Sequence, residues 1–345
     1  MKKINNYNII SLMIIILFTT TYGEGIYVII KESGVDSYVS IILSIIISLP
    51  LLYIFNKIFN YEPNLNIFEK NKKLFKNSFI PNLIIILFAL LIASIQMFNL
   101  TNFLVSQFLS ETNPLIISSI FTILIIYLTT KDLSCLAKTS TLFLIINLIL
   151  FFISIIGLFP QVKLNNLLPF LESGLKNPII SSIKLFLINI SPLFFILIIP
   201  KNKVINYKNN NVYISYIMYI FLSLTMIILT IGTLGINLSK LYQYPEYIVL
   251  RRINFMDFLT RIENLLFTEW IFGLFTLMSF SAFTIKTKLN FKYSHIIIPI
   301  IILITSSICF KSLTVFNEFM YYIYPYISII FIIYIIILFI KTQKK

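Results

Sequence analysis

The chain contains ten apolar stretches that are long enough, or nearly long enough, to cross a membrane as helices. A helix needs about 20 apolar residues to cross a hydrocarbon core about 30 Å thick. Only 12% of the 345 residues are charged and the mean hydropathy is +0.93, whereas an average soluble domain has about 25% charged residues. A soluble enzyme, a disordered chain and a disulfide scaffold are therefore excluded. We number the stretches as spans one to ten, and they cover residues 8–30, 38–59, 79–109, 114–129, 136–159, 178–200, 213–237, 264–285, 293–313 and 317–340.

The basic residues are divided unequally between the two sides of these spans. Of the 27 Lys and Arg residues, 18 lie at the termini or in the connections after even-numbered spans, 8 lie in the other connections, and Lys184 lies within span six. Cytoplasmic loops retain Lys and Arg. We therefore expect both termini in the cytoplasm, and the net charge of +14 does not indicate a nucleic-acid partner.

Two spans are interrupted near their middle. Span one contains Thr-Thr-Thr-Tyr-Gly-Glu-Gly over 19–25, and span six contains Asn-Ile-Ser-Pro over 189–192. Glycine permits unwinding, and proline removes an amide donor from a helix. Unwound backbone is tolerated in a membrane only around a cavity or a ligand.

The interruptions occupy the first and the sixth of ten spans. This arrangement is typical of a five-helix unit repeated in inverted topology, with a binding site between the broken helices. The sequence predicts one membrane domain over 1–345, with repeat one at about 8–159 and repeat two at about 178–340. Two unrelated kinks filled by packing are the alternative.

Several polar side chains lie within the spans. Glu24 lies in the first interruption, where a carboxylate should be protonated, paired or facing water. Gln96 and Asn99 share one face of span three, and they either line a cavity or bond to neighbouring helices. Lys184 could extend its amine outward or pair with Glu24.

The connection between spans seven and eight is the one long outward connection, at about 238–263. Ile253, Met256 and Leu259 follow helical spacing, and Asp257 and Arg261 are four residues apart. This pattern predicts an amphipathic helix at the outer interface. An ordinary structured loop is the alternative.

The sequence shows no pattern that indicates catalysis, a cofactor or a metal. Cys135 and Cys309 lie in different segments without ligand spacing, and we find no nucleophile–base pair, phosphate loop or metal cluster. We therefore expect neither an enzyme, a metal site nor a disulfide.

Five motifs in order resemble the B subunits of endospore germinant receptors, the spore germination permease family. The most specific motif covers residues 244–270, YPEYIVLRRINFMDFLTRIENLLFTEW. The others are the Gly-x-Gly of span one, Gly34-x-Asp36, Thr-Asn-Pro at 112–114 and the Asn-Asn-Leu-Leu-Pro…Gly-Leu loop at 165–175. The chain departs from the family pattern at Phe194, where an acidic residue is expected, and at Glu24, where a small apolar residue is usual.

The resemblance implies a fold, a superfamily and some of the site residues. The family belongs to the amino acid–polyamine–organocation superfamily, with ten helices in the LeuT-type 5+5 arrangement and with helices 1 and 6 broken. It implies that Gly23 and Gly25 are the unwound glycines of span one, that Thr276 and Phe280 face a ligand, and that Ala93 is a small residue at the cavity. With the polar residues of the interrupted spans, the predicted ligand-binding set is Thr21, Gly23, Glu24, Gly25, Ala93, Gln96, Ser191, Thr276 and Phe280.

The resemblance also implies a function. It predicts a germinant-sensing, permease-like subunit of the spore inner membrane that binds a small nutrient of the amino acid class beside receptor A and C subunits. Arg251, Arg252, Arg261 and Glu263 form the predicted partner-binding patch, because a subunit that docks an outer lipoprotein needs exposed charge. A secondary amino acid transporter without a germination role, and a structural subunit with a vestigial cavity, are the alternatives.

Overall fold

The computed structural model describes residues 2–171, 174–253 and 262–344, and within these ranges the chain folds into a helical bundle. A two-residue parallel strand pair joins β1 (Ile4–Asn5) to β2 (Val204–Ile205). The helices are α1 (Asn6–Thr20), α2 (Ile26–Ser33), α3 (Ser37–Asn60), α4 (Ile67–Leu74), α5 (Phe79–Gln107), α6 (Pro114–Thr130), α7 (Leu133–Leu158), α8 (Lys176–Leu193), α9 (Asn210–Leu234), α10 (Ile236–Leu241), α11 (Pro245–Leu250), α12 (Ile262–Leu266), α13 (Thr268–Lys288), α14 (Ser294–Cys309), α15 (Leu313–Glu318) and α16 (Tyr324–Gln343).

The composition of these helices confirms a helical membrane protein. Within the described ranges, seven helical stretches are long and apolar enough to cross a membrane, and α6 and α14 are shorter apolar helices. Large apolar side chains also point outward from the bundle. Ile46, Ile123 and Ile217 leave about two thirds of their surface exposed, at 67%, 64% and 65%. Water would disfavour such a surface, whereas lipid chains accept it.

The first of the seven stretches, Asn6–Asn60, is a helical hairpin. Its two ends meet at the start of α9, since Asn6 accepts a hydrogen bond from Asn211 and Asn56 donates to Asn209 O at 2.9 Å. Between them, Gly34 takes a positive φ of 59° and ends α2. We call the end of the bundle that holds Asn6 the proximal end, and the end that holds Gly34 the distal end.

The interruption predicted in span six is not found at 189–192. Helix α8 continues through Pro192 to Leu193, and tighter helical turns follow from Phe194 to Ile198. Pro192 leaves the carbonyl of Ile188 without its usual N–H donor, and the Tyr324 hydroxyl lies 3.5 Å from that oxygen. A hydroxyl from α16 thus occupies the acceptor that the proline frees, and the helix does not unwind.

The distal connection also differs from the single amphipathic helix predicted for 238–263. The chain forms two short helices there, α10 and α11, which are separated by a turn at 242–244. Residues 254–261, with Met256, Asp257, Leu259 and Arg261, lie outside the described residues. The helical register predicted from them is therefore untested.

Candidate functional site

The first span is interrupted near its middle, as predicted. Helix α1 ends at Thr20, Tyr22 is extended (φ −68°, ψ 139°) and Gly23 is left-handed (φ 72°, ψ −38°) before helix resumes at Ile26. The positive φ favours glycine, because a Cβ would be strained there. We call residues 21–25 the break, and all five are buried.

The Glu24 carboxylate lies inside the bundle and accepts two hydrogen bonds from α5. Its Oε1 lies 2.8 Å from Gln96 Nε2 and 3.0 Å from Asn99 Nδ2, and only 3% of the residue is exposed. An acidic residue at the centre of a membrane helix costs about 2.5–3.5 kcal/mol on insertion scales. Two hydrogen bonds of about 1 kcal/mol each offset much of that cost.

The free amide of Gly23 has a partner from a distant part of the chain. It donates to Glu246 Oε1 at 2.6 Å, and Glu246 itself is fully buried. Glu246 lies on α11, so the distal connection enters the bundle and reaches the break. Beside it, the Tyr244 hydroxyl donates to Asn99 Oδ1 at 3.2 Å and accepts from Asn102 Nδ2 at 2.8 Å.

On its other side, the break is bonded to span six by Asn189. The Asn189 side chain accepts from Thr20 Oγ1 at 3.0 Å and donates to Thr21 Oγ1 at 3.1 Å. It also donates to the hydroxyl of Tyr219 on α9, which accepts from Thr21 Oγ1 at 3.1 Å. Polar side chains of spans three, six and seven therefore converge on the break.

Aromatic rings cover the break towards the distal end. Phe103, Tyr244, Tyr247, Phe267 and Trp270 form a cluster whose neighbouring ring centroids are 4.7 to 5.6 Å apart. The Trp270 indole donates to the carbonyl of Thr19 at 3.2 Å. A Cβ on Gly23 would lie 2.4 Å from Trp270 Cζ2. The tryptophan thus lies directly on the break, and the site is closed in this conformation.

The structure brings five of the nine predicted ligand-binding residues together at the break. Thr21, Gly23, Glu24 and Gly25 form the break, and Gln96 bonds to it. The hydroxyls of Ser191 and Thr276 bond to carbonyls of their own helices, Leu187 O at 3.1 Å and Phe272 O at 2.8 Å. Ala93 and Phe280 are fully buried. A ligand role for these residues remains a prediction.

Lys184 forms an ion pair with Glu32 and not with Glu24. Its amine lies 2.6 Å from Glu32 Oε2 and 3.4 Å above the centre of the Tyr321 ring. The Tyr321 hydroxyl also donates to Glu32. The Glu24–Lys184 pair considered from the sequence is therefore wrong, and this ion pair instead joins α2 to α8 near the distal end.

The predicted partner-binding patch is only partly described. Arg251 and Arg252 are exposed. Arg251 donates to Gln107 Oε1 at 3.1 Å and stacks over Tyr247, with 4.9 Å between the guanidinium carbon and the ring centre. Glu263 is half-buried, and Arg261 lies outside the described residues.

Four residues of the site were missed or misjudged from the sequence. Glu246 and Tyr244 belong to the predicted outer connection, Asn189 to the interruption predicted in span six, and Trp270 to the motif at 244–270. Their distance from the break along the chain exceeds 160 residues, and no local pattern reports such a contact. The Tyr-Pro-Glu sequence at the start of α11 was the one available signal, since proline at the first helical position fixes where that helix begins.

No metal-binding group is evident in the described ranges, where no three His, Cys, Asp or Glu side chains come together in the geometry that a metal needs. The polar groups at the break are instead amides, hydroxyls and single carboxylates. Groups of this kind suit a small polar molecule better than an ion held by several carboxylates.

Fold and site together define a multi-pass helical membrane protein whose first span is interrupted at a buried polar cluster. Residues 3–295 match the family model described as spore germination protein. The chain therefore belongs to the spore germination permease family. It is also similar to the protein named "Putative spore germination protein YfkT" from Bacillus subtilis (strain 168), at 24% identity over 278 residues, which cover 77% of this chain and 74% of that protein.

Proposed function

We propose that this protein is a germinant-sensing, permease-like subunit of a receptor in the spore inner membrane, and that it binds a small nutrient of the amino acid class at the break. The observation that carries the proposal is the arrangement of Gly23 and Glu24. They place a backbone amide and a carboxyl group on adjacent buried residues, within a polar cluster inside the bundle. An amide suits a carboxylate, and a carboxyl group suits an ammonium.

We further infer ten passes arranged as two inverted five-helix repeats. The hairpin counts as two passes, and α6 and α14 add the two that are short. In a 5+5 repeat, exchanging each span with the one five places later should turn the main packing contacts of one repeat into those of the other. Span one packs on spans five and seven, and span six packs on spans ten and two. Span three packs on span nine, and span eight packs on span four. This exchange symmetry supports the LeuT-type arrangement.

The orientation that we propose places both termini in the cytoplasm. The division of basic residues, 18 against 8, supports it. The proximal end is then cytoplasmic and α11 enters from the outside. External labelling of single cysteines should modify Lys240→Cys but not Lys72→Cys after Cys135 and Cys309 are replaced. The reverse result would invert the orientation.

Spores provide the test of germinant sensing. Spores that carry the Gln96→Ala variant should need a higher amino acid concentration to germinate than wild-type spores, because Gln96 orients the Glu24 carboxyl group. The comparison is made at equal amounts of the protein in the membrane. The exposed Gln343→Ala, at the opposite end of the chain from the break, is the matched control. Normal germination of the Gln96 variant with every amino acid tested would contradict the proposal.

A secondary amino acid transporter is the second candidate, because the exchange symmetry is also what a transporter uses to open alternately to two sides. Uptake of labelled amino acids into vesicles that contain the purified protein separates the two. A sensor should bind without net uptake, whereas saturable uptake in the absence of any partner would favour the transporter.

We propose that receptor A and C subunits are the partners, and that Arg252 contributes to the C-subunit contact. Its side chain is exposed at the distal end, whereas the Arg251 guanidinium is already stacked on Tyr247. Arg252→Glu should weaken co-purification with the C subunit, most strongly at low salt, because exposed charges are screened by salt. Lys240→Glu is the control, and unchanged co-purification of the Arg252 variant would remove this contact.

A further inference from the structure

The Gly23 amide already holds a carboxylate, and that carboxylate belongs to the protein. Glu246 Oε1 lies 2.6 Å from Gly23 N, which is as short as a strong charge-assisted hydrogen bond. The second oxygen, Oε2, is buried and has no hydrogen-bond partner among the residues that the structure describes. Burying an acidic side chain with only one of its two oxygens hydrogen-bonded costs free energy, because the second oxygen has lost its contact with water.

The segment that carries Glu246 is not itself a spanning helix. Helix α11 has six residues, five of them buried, and enters between the distal ends of the spans. Tyr244 bonds to Asn99, and the Tyr247 hydroxyl donates to Asn264 Oδ1 at 2.9 Å. Because α11 is not part of a spanning helix, its displacement would not require a span to unfold, and Glu246 is the residue through which it bonds to the break.

We propose that Glu246 is a tethered competitor for the ligand: its carboxylate holds α11 over the closed break, and a small molecule with a carboxylate opens the site by taking the Gly23 amide in its place. The proposal rests on the proposed function and adds the mechanism of its regulation. One N–H cannot serve two carboxylates at full strength, so Glu246 and the ligand carboxylate exclude each other. By linkage, whatever weakens the Glu246 contact strengthens ligand binding.

Release of Glu246 from the break would change the position of exposed residues at the distal end. Helix α11 ends next to Arg251 and Arg252, which are exposed at the distal end, and Arg251 stacks on Tyr247 of the same helix. When α11 leaves the break, these two arginines move with it. Ligand binding at the break is thereby transmitted to an outer partner without a large motion of the spans.

The first experiment measures the thermal stability of the purified protein in detergent, with acetate as the probe. Glu246→Ala leaves the Gly23 amide without its acceptor, and acetate should restore the stability of this variant in a saturable manner. Acetamide, which has the same shape without the charge, should restore much less. In the wild-type protein and in the exposed-site control Glu111→Ala, Glu246 competes for the Gly23 amide, so both should need far more acetate for the same response.

Equal effects of acetate and acetamide, or no effect of either on folded Glu246→Ala protein, would overturn the proposal. Should Glu246→Ala fail to fold, Glu246→Gln keeps the shape of the side chain and weakens the bond to the amide. Spores with Glu246→Gln should then germinate at roughly tenfold less amino acid, the change expected from losing the charge of one hydrogen bond. An unchanged or increased requirement would again contradict it.

The two proposals can fail separately. Acetate rescue without any amino acid response would preserve the tethered carboxylate and refute the germinant role. A normal amino acid response that depends on Gln96, with no acetate rescue and no effect of Glu246→Gln, would preserve the germinant role and refute the competitor.

Discussion

Gly273 and Thr19 are in such close contact that a Cβ added to Gly273 would lie 2.1 Å from Thr19 Oγ1. The contact brings α13 against the last turn of α1, immediately before the break. Trp270, three residues earlier on α13, bonds to Thr19 O and covers Gly23. The close approach of these two helices therefore sets the position of the ring that closes the site.

This contact gives the first prediction. Gly273→Ala should lower the midpoint of thermal unfolding, because helix α13 must move away from α1 to admit the methyl group. Thr19→Ala should be nearly neutral on its own, since Thr19 Oγ1 is buried without a partner in the described part of the chain. The double variant should recover much of the loss, because the 2.1 Å clash is with Oγ1 alone. Additive effects of the two substitutions would show that the clash is relieved elsewhere.

The second prediction concerns Glu24. Glu24→Ala should destabilise the protein by about 1–3 kcal/mol, because it leaves the amides of Gln96 and Asn99 without their common acceptor. Glu24→Gln keeps an acceptor oxygen and should lose less. Unfolding by a mixed-detergent titration measures both, with the exposed Glu111→Ala as control. Equal stability of the Ala and Gln variants would mean that the two hydrogen bonds do not stabilise the fold.

The third prediction concerns the distal ion pair. A double-mutant cycle with Lys184→Met and Glu32→Gln should give a coupling free energy of about 1–2 kcal/mol, because the side chains are only 17% and 15% exposed. The Lys73–Glu62 pair, at 48% and 34% exposure, is the matched comparison, and its coupling should fall within about 0.2–1 kcal/mol. Similar couplings for the two pairs would show that burial adds nothing to the distal one.

The fourth prediction is a pH dependence at the proximal end. The Lys70 amine on α4 donates to the carbonyl of Ile58 at 2.7 Å, and burial lowers the pKa of this amine from 10.5 to about 8. Below pH 8 the folded protein carries a buried charge at a cost. Stability should therefore rise as the pH increases from about 8 to 10.5, where the unfolded chain binds more protons than the folded one.

Lys70→Met should abolish this rise, whereas the exposed Lys72→Met should keep it. Thermal unfolding of the three proteins between pH 7 and 10.5 measures the difference. The Met variant also leaves Ile58 O without the amine, so its stability near pH 7 reports the opposing loss of that hydrogen bond. A wild-type profile that is flat or falls from pH 8 to 10.5 would contradict the buried charged amine.

Some of the site could be predicted from the sequence, because it is encoded locally. The break at Gly23 follows from two glycines within an apolar run, and Gln96 and Asn99 share a helix face because they are three residues apart. Only the free-energy cost of burying a carboxyl group in a membrane indicated that Glu24 needs partners such as these two amides. In the structure, the same cost is met by the two amides.

The sequence by itself determined where the helices lie and that the first one breaks, because a backbone in lipid must satisfy its hydrogen bonds within each segment. Only the tertiary structure decided which distant groups complete those bonds. It decided that Glu246 bonds to the Gly23 amide and that Lys184 pairs with Glu32. It also placed the Tyr324 hydroxyl at the Ile188 carbonyl, so that α8 continues through Pro192. These partners are separated by 136 to 223 residues. Their meeting depends on how the helices pack, and no local pattern carries that information.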